Sequence, residues 1–417
     1  MKKQFAVFAL LVGVSLFAGA QTAAVPGEKT QPDAIQSYLQ PLVANHTIAG
    51  AVTLVANKDH TIYLESVGYQ DLMAKAPMPT NALFWIASTS KPMTVTAFMM
   101  LVDEGKINLD DPVEKYLPEF HGQMVRPANP DSKPTAQGVP DSQKAVPLVP
   151  ADHPILVREI LSHTSGLPYT STAEPGALDM LPLKDAVRSY AADPLIYQPG
   201  TDYKYSNEGI NTAARIIEVV TGMPYERFMQ ERLFDPLDMK DTTFWPNAEQ
   251  IGRLAQTYKL DPQTKSLVEV PVAQLTYPLN DRQHRYPMPA GGLFSTAEDV
   301  SKFCRMILNG GVLNGKRYLS PQALHAMTIT ENMGLGKTDY GFAWSITKSG
   351  FGHGGAYKNA MNIDTTTGRI LVFMVQQQGP WGTTDGDKIV STLVRLANNV
   401  DSSQTTVPTA GETPKVH

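Results

Sequence analysis

The sequence predicts a mixed α/β fold, with one sheet assembled from both ends of the chain and a helical lobe inserted between them. Three observations lead there. Strand-like runs cluster at 51–64 and again at 340–375. Apolar residues at helical spacing dominate the middle of the chain. The composition, 42% hydrophobic and 18% charged over 417 residues, suits a globular protein with a substantial core.

In chain order, Lys2 and Lys3 precede an apolar run from Phe5 to Phe17, and Ala18-Gly19-Ala20 supplies small residues for cleavage. These are the three parts of a secretory signal peptide, assigned to 1–20, which implies an exported, periplasmic or secreted protein. The run is short for a membrane span and no cysteine follows it, so no stable anchor is expected after cleavage. Residues 21–400 are expected to form one domain. Its sheet lobe would draw on about 35–110 and 288–400, and its helical lobe on about 111–287.

Ala51–Val55 and Thr61–Leu64 form two strand candidates, with a hairpin turn over Asn57–His60. A helix follows, with Met93, Ala97, Met100 and Leu101 at helical spacing and a stop near Gly105. Prolines recur from Pro127 to Pro154, so 121–154 reads as a long loop or insert. Helices are expected at Ile155–Leu161 and at Gly209–Thr221, the latter stopped by Gly222. A further helix carries Val300, Phe303, Cys304 and Ile307 on one face behind a Ser295–Glu298 capping box. Cys304 is the single cysteine, so no internal disulfide forms and a packed thiol is expected. Tyr340–Thr347, Ala360–Asp364 and the continuous apolar run Ile370–Val375 read as strands, with a last helix over Lys388–Ala397 and a polar tail over 401–417.

Ser88-Thr89-Ser90-Lys91 carries the clearest chemistry. At a helix N-terminus, Lys91 lies one turn after Ser88 on the same face, which pairs a nucleophile with a proton acceptor. First-turn N–H groups would face an oxyanion forming at Ser88. Tyr205-Ser206-Asn207 offers a phenol to relay a proton and an amide to bind a substrate carbonyl or hold Lys91. A nearby ammonium at Lys91 would favour the phenolate of Tyr205. The same residues also fit a buried anchor followed by an Asn207 N-cap. In His353-Gly354-Gly355-Ala356, the glycines let a substrate lie close, the Ala356 N–H could complete an oxyanion hole with that of Ser88, and His353 could donate to a carboxylate or assist proton transfer. A plain glycine-rich turn fits equally.

Net charge is -5 with scattered lysines and arginines, which argues against nucleic acid. The histidines show no metal-type spacing, so no cofactor is expected. Gly310–Lys316 imitates a phosphate loop, but Arg317 stands where magnesium needs a hydroxyl. Lys337-Thr338-Asp339 reads as a polar turn and His163 as a structural turn residue.

The ordered set Ser88–Lys91, Tyr205–Asn207 and His353–Gly355 resembles the serine penicillin-recognising hydrolases, in their class C β-lactamase, DD-peptidase and esterase branch. Leu161–Pro168, Asn207-Glu208-Gly209, Ala290–Leu293 with Ser295-Thr296, and Tyr340–Trp344 strengthen the likeness, which runs from about 35 to 397. It implies an antiparallel sheet flanked by helices, joined to an all-helical lobe. It implies Ser88 as acylating nucleophile, Lys91 and Tyr205 as proton-handling partners, and Asn207, His353, Gly355 and Ala356 at the substrate. Carboxylic esters, D-amino-acid peptides or amides, and β-lactams all present a suitable carbonyl. His353 stands where many β-lactamases carry lysine, which tilts the expectation toward esters or peptides. A dedicated class C-type β-lactamase, or a penicillin-binding sensor that barely turns over, is the alternative.

Overall fold

The computed structural model describes residues 33–127, 147–174, 176–332, 334–336, 338–379, 381 and 386–401. The signal segment and the tail expected over 401–417 lie outside them, apart from Asp401.

Seven strands form the main sheet. In chain order they are β1 (Gly50–Ala56), β2 (Thr61–Asp71), β3 (Ala76–Pro77), β4 (Ser345–Ile346), β5 (Gly350–Gly354), β6 (Ala360–Asp364) and β7 (Arg369–Met374), in the spatial order β4-β5-β6-β7-β1-β2-β3. Every pairing is antiparallel, and the two ends of the chain meet where Leu54 faces Val372 across β1 and β7. Alternation in these two strands builds both hydrophobic layers. Val52, Leu54, Ala56, Ile370, Val372 and Met374 face the main core, while Ala51, Val55, Leu371 and Phe373 face a second one. Each fully buried Leu, Ile, Val, Phe or Met contributes roughly 1.5–3 kcal/mol of transfer free energy, so the strands that join the chain ends are also the best anchored.

Helices α1 (Ala34–Ala44) and α2 (Ser90–Asp103) flank the N-terminal strands in sequence. The middle of the chain gives α3 (Val157–Ser162), α4 (Leu183–Ala192) and α5 (Asn207–Thr221). Next come α6 (Ala297–Leu308) and α7 (Gly386–Asn398). Ile35 and Leu39 of α1 close the second core with Ile389 and Leu393 of α7, and α6 covers the opposite face of the sheet with Val300, Phe303 and Ile307. Helix α2 is buried from Ser90 to Leu101 on all sides, as a helix through the centre of a large core must be.

Several expectations change in detail. Tyr340–Thr347 is a strand only at Ser345–Ile346. The chain reverses first, with Gly341 N–H donating to Trp344 O at 2.8 Å and Ala343 at φ 60°. Helix α6 is capped by Thr296, whose hydroxyl accepts from Asp299 N–H, one residue later than the expected Ser295–Glu298 box. The N-cap of α5 is Ser206, not Asn207. The expected loop over 121–154 has an ordered stem, since Met124–Val125 pairs with Val149–Pro150; 128–146 lie outside the described residues. Gly310–Lys316 belongs to a hairpin, with Asn314 and Gly315 both at positive φ between paired strands, which accounts for its glycines without a phosphate. The Cys304 thiol is fully buried, 3.7 Å from Met361 Sδ.

Helices α3 and α5 cross at Gly209, where an added Cβ would sit 2.6 Å from Ile160 O. The Gly209→Ala variant must push the two helices apart. It is expected to lose roughly 1–3 kcal/mol despite the better helix propensity of alanine, read as a lower midpoint in urea unfolding.

Candidate active site

Ser88 sits in a short turn, Ala87–Thr89, that runs directly into α2. Ala87 has φ 45°, a left-handed conformation unfavourable for a residue with a Cβ. The turn is held from both sides. Phe84–Trp85 pairs with Phe294–Ser295, Ile86 N–H donates to Leu293 O at 2.9 Å, and Ser90 Oγ donates to Ala87 O at 2.6 Å while accepting from Leu293 N–H at 3.3 Å. Between Ala82 and Leu101, Ser88 is the one residue that is not buried. The constraint therefore presents a single hydroxyl to solvent.

Lys91 points back under that hydroxyl. Its Nζ lies 3.2 Å from Ser88 Oγ, 2.7 Å from Asn207 Oδ1 and 2.7 Å from Ala290 O. Burial holds its pKa well below the ordinary 10.5. Asn207 Oδ1 and Ala290 O can only accept, so Lys91 Nζ donates to both, and once the amine is neutral its lone pair can face the third partner, Ser88 Oγ–H. Ala290 is fixed in turn, because its N–H donates to Asn211 Oδ1 at 3.0 Å. Asn207 and Asn211, one turn apart on α5, thus brace the amine and its carbonyl partner from the same face.

Tyr205 stands beside Ser88 on the same cleft, close enough for the serine to act on its phenol. Lys91 Nζ is 4.6 Å from the centre of the Tyr205 ring. The expected phenolate does not form: burial pushes the phenol pKa up, and this outweighs the opposing effect of the Ser88 contact. Burial thus moves the two groups in opposite senses, the amine toward releasing its proton and the phenol toward keeping it.

Strand β5 supplies the third wall. Gly355 packs so tightly on the serine turn that a Cβ would sit 2.5 Å from Ile86 O, and Asn359 Nδ2 donates to Trp85 O at 2.8 Å. The Gly355 N–H is committed to Asn359 O at 2.7 Å, so this residue shapes the wall rather than donating to a ligand. Both nitrogens of His353 are engaged, Nδ1 with Gly354 O at 2.8 Å and Nε2 with the Tyr340 hydroxyl at 3.0 Å. Burial, reinforced by Lys91, lowers its pKa to about 3, so it is neutral and offers a carboxylate no cation.

Ser88, Tyr205, His353, Gly355 and Ala356 open on one cleft of about 770 Å³. Tyr169, Tyr203, Leu335 and Tyr340 add an aromatic and apolar lining that the sequence reading did not assign. No formally charged side chain lines it among the described residues. Asn207 is not part of the lining; of the two roles open to it, the structure has it on Lys91. Among the described residues no group of three His, Cys, Asp or Glu side chains could hold a metal ion.

Residues 35–393 match the family model described as Beta-lactamase. An uncharacterized Mycobacterium tuberculosis protein is 33% identical over 302 residues, 71% of each chain. A lovastatin esterase of Penicillium rubens is 29% identical over 304 residues, 70% of this chain and 71% of the esterase. Among solved structures, a D-amino acid amidase of Ochrobactrum anthropi superposes with a TM-score of 0.66 at 26% identity, covering 88% of this chain and 97% of the amidase.

A lysine with a depressed folded-state pKa leaves the unfolded chain holding more protons between that value and 10.5, so wild-type stability climbs with pH across the window. Lys91→Met removes the titration. The stability of wild type relative to Lys91→Met should rise with pH by up to about 1.4 kcal/mol per unit across the window that closes near pH 10, measured by urea unfolding at matched pH. A difference independent of pH would mean that the amine titrates normally.

Proposed function

The chain belongs to the Beta-lactamase family, and on that premise we propose that it cleaves uncharged carboxylic esters through an acyl-enzyme on Ser88. The protein is a serine hydrolase, as relatives in this family that are esterases and amidases are. The observation that carries the proposal is the enclosed Lys91 amine, which has two obligate acceptors and one hydroxyl that can donate.

In this reading, Ser88 Oγ attacks the ester carbonyl as its proton passes to Lys91 Nζ. The oxyanion is held by the N–H groups of Ser88 and Ala356, and losing one such donor typically costs about 3 kcal/mol. Tyr205 protonates the departing alkoxide. The resulting phenolate lies against the Lys91 ammonium, which stabilises it. Water then attacks the acyl-enzyme and returns a proton to Tyr205, and the ammonium reprotonates Ser88 as it leaves. Proton balance is restored after each cycle.

The substrate assignment rests on the absence of a charged side chain among the described residues that line the cleft. A β-lactam or a D-Ala-D-Ala peptide brings a carboxylate, and a D-amino-acid amide brings an ammonium. No described lining side chain can pair with either charge, while the tyrosines and Leu335 favour an apolar acyl or alkyl group. The esterase relative supports the same choice. The N-terminal pattern of Lys2, Lys3 and the following apolar run supports export, and mass spectrometry of the mature N-terminus tests it.

The Ser88→Ala variant is expected to keep its unfolding midpoint and lose all turnover of p-nitrophenyl butyrate; retained turnover ends the acyl-enzyme reading. Tyr205→Phe should cut kcat by roughly 10²–10⁴-fold with a much smaller change in KM, read from steady-state kinetics. Side by side, kcat/KM should be highest for p-nitrophenyl butyrate, then for a D-amino-acid amide or D-Ala-D-Ala peptide, then for nitrocefin. A preference for nitrocefin would favour a dedicated β-lactamase, and a single stoichiometric burst would favour a penicillin sensor.

A further inference from the structure

One buried hydrogen-bond chain links the two walls of the cleft, and the mechanism above does not use it. Ser206 N–H donates to His163 Nδ1 at 3.2 Å. His163 Nε2 lies 3.3 Å from the Tyr340 hydroxyl, which lies 3.0 Å from His353 Nε2. His353 Nδ1 lies 2.8 Å from Gly354 O. The two ends fix the direction of every hydrogen. A backbone N–H can only donate, so His163 carries its proton on Nε2. A carbonyl can only accept, so His353 carries its proton on Nδ1. Tyr340 then accepts from His163 and donates to His353. All four residues, Ser206, His163, Tyr340 and His353, are buried.

What the chain connects is informative. Ser206 directly follows Tyr205, and Gly354 precedes Gly355 and Ala356. His163 is seated by its own turn, at φ 63° after α3, with Lys204 N–H and the Tyr197 hydroxyl both donating to its carbonyl oxygen. The far end presents the His353 Nε2 lone pair to two phenols, Tyr340 at 3.0 Å and Tyr205 at 3.5 Å. One acceptor is therefore shared, and the nearer phenol holds it.

We propose that Tyr340 is a positioning residue for the reaction: by occupying His353 Nε2 it leaves the Tyr205 hydroxyl directed at Ser88, and through His163 it sets the spacing between the Tyr205 loop and the β5 wall. The inference rests on the role given to Tyr205 above. Without the Tyr340 hydroxyl, Nε2 is free to take the Tyr205 hydrogen or a proton from solvent. Removing a donor from the neutral ring makes protonation easier, so the His353 pKa should rise. Lys91, Tyr205, Tyr340 and His163 are the titratable groups that bear on His353.

Two variants and one direct measurement test this. Tyr340→Phe should lower kcat about tenfold or more with KM nearly unchanged. His163→Asn keeps an oxygen for Ser206 N–H and tolerates the left-handed turn, yet cannot reach Tyr340; it should lower kcat in the same way by less. An unchanged kcat, or a loss confined to KM, in folded Tyr340→Phe overturns the proposal. Histidine 15N NMR of the wild-type protein should find the proton on Nε2 of His163 and on Nδ1 of His353, and the opposite tautomer on either ring also overturns it. The NMR arm needs no turnover. If Ser88→Ala remains active while the tautomers are as stated, the acyl-enzyme reading fails and the hydrogen-bond chain stands.

Discussion

A lysine amine taken fully out of water is the constraint around which this molecule is arranged. Burying an ammonium costs several kcal/mol even after relaxation, and Lys91 is tolerated because oxygens from three parts of the chain surround it: Ser88 beside α2, Asn207 on α5 and the Ala290 carbonyl ahead of α6. Each is itself held. Ser88 is locked by the paired segments at 84–85 and 294–295, and Ala290 by Asn211. Three separate stretches of the chain therefore meet at one nitrogen. Weakening any of them alters the surroundings of the group on which the chemistry turns.

The scaffold makes such a site possible by being stiff where the site is formed. Helix α2 is surrounded by core on every side, so the serine turn at its start cannot relax the left-handed Ala87 by shifting the helix. Gly355 brings β5 close enough to form a wall against that turn without contributing a side chain. Backbone strain, a buried base and a tightly packed glycine are individually unfavourable. Their placement around one hydroxyl is consistent with pre-organisation set against stability.

Much of this was legible in the amino-acid order. The sheet drawn from both ends and the helix-rich middle follow from hydrophobic patterning, while the antiparallel pairing and the grouping of Ser88, Lys91, Tyr205 and His353 follow from the resemblance of the ordered motifs to the serine penicillin-recognising hydrolases. Three features were not legible, each for a reason of distance or environment. The reversal at Gly341–Trp344 depends on Phe342 and Trp344 finding the core, which local pattern does not encode. The protonation states of Tyr205 and His353 depend on burial, which at Tyr205 overrides the effect expected of a neighbouring ammonium and at His353 adds to it. His163 carries no sign in the sequence that its second nitrogen meets Tyr340, 177 residues away. Asn211 had a signal that was available, since it stands one helical turn after Asn207.

Cys304 gives the protein a built-in reporter. The thiol is enclosed between α6 and β6 against Met361, and burial raises its pKa, so in the folded state it is both shielded and weakly nucleophilic. With one sulfhydryl in the chain, every alkylation event has a single origin. The rate at which a maleimide consumes the thiol therefore counts openings of the layer between α6 and β6.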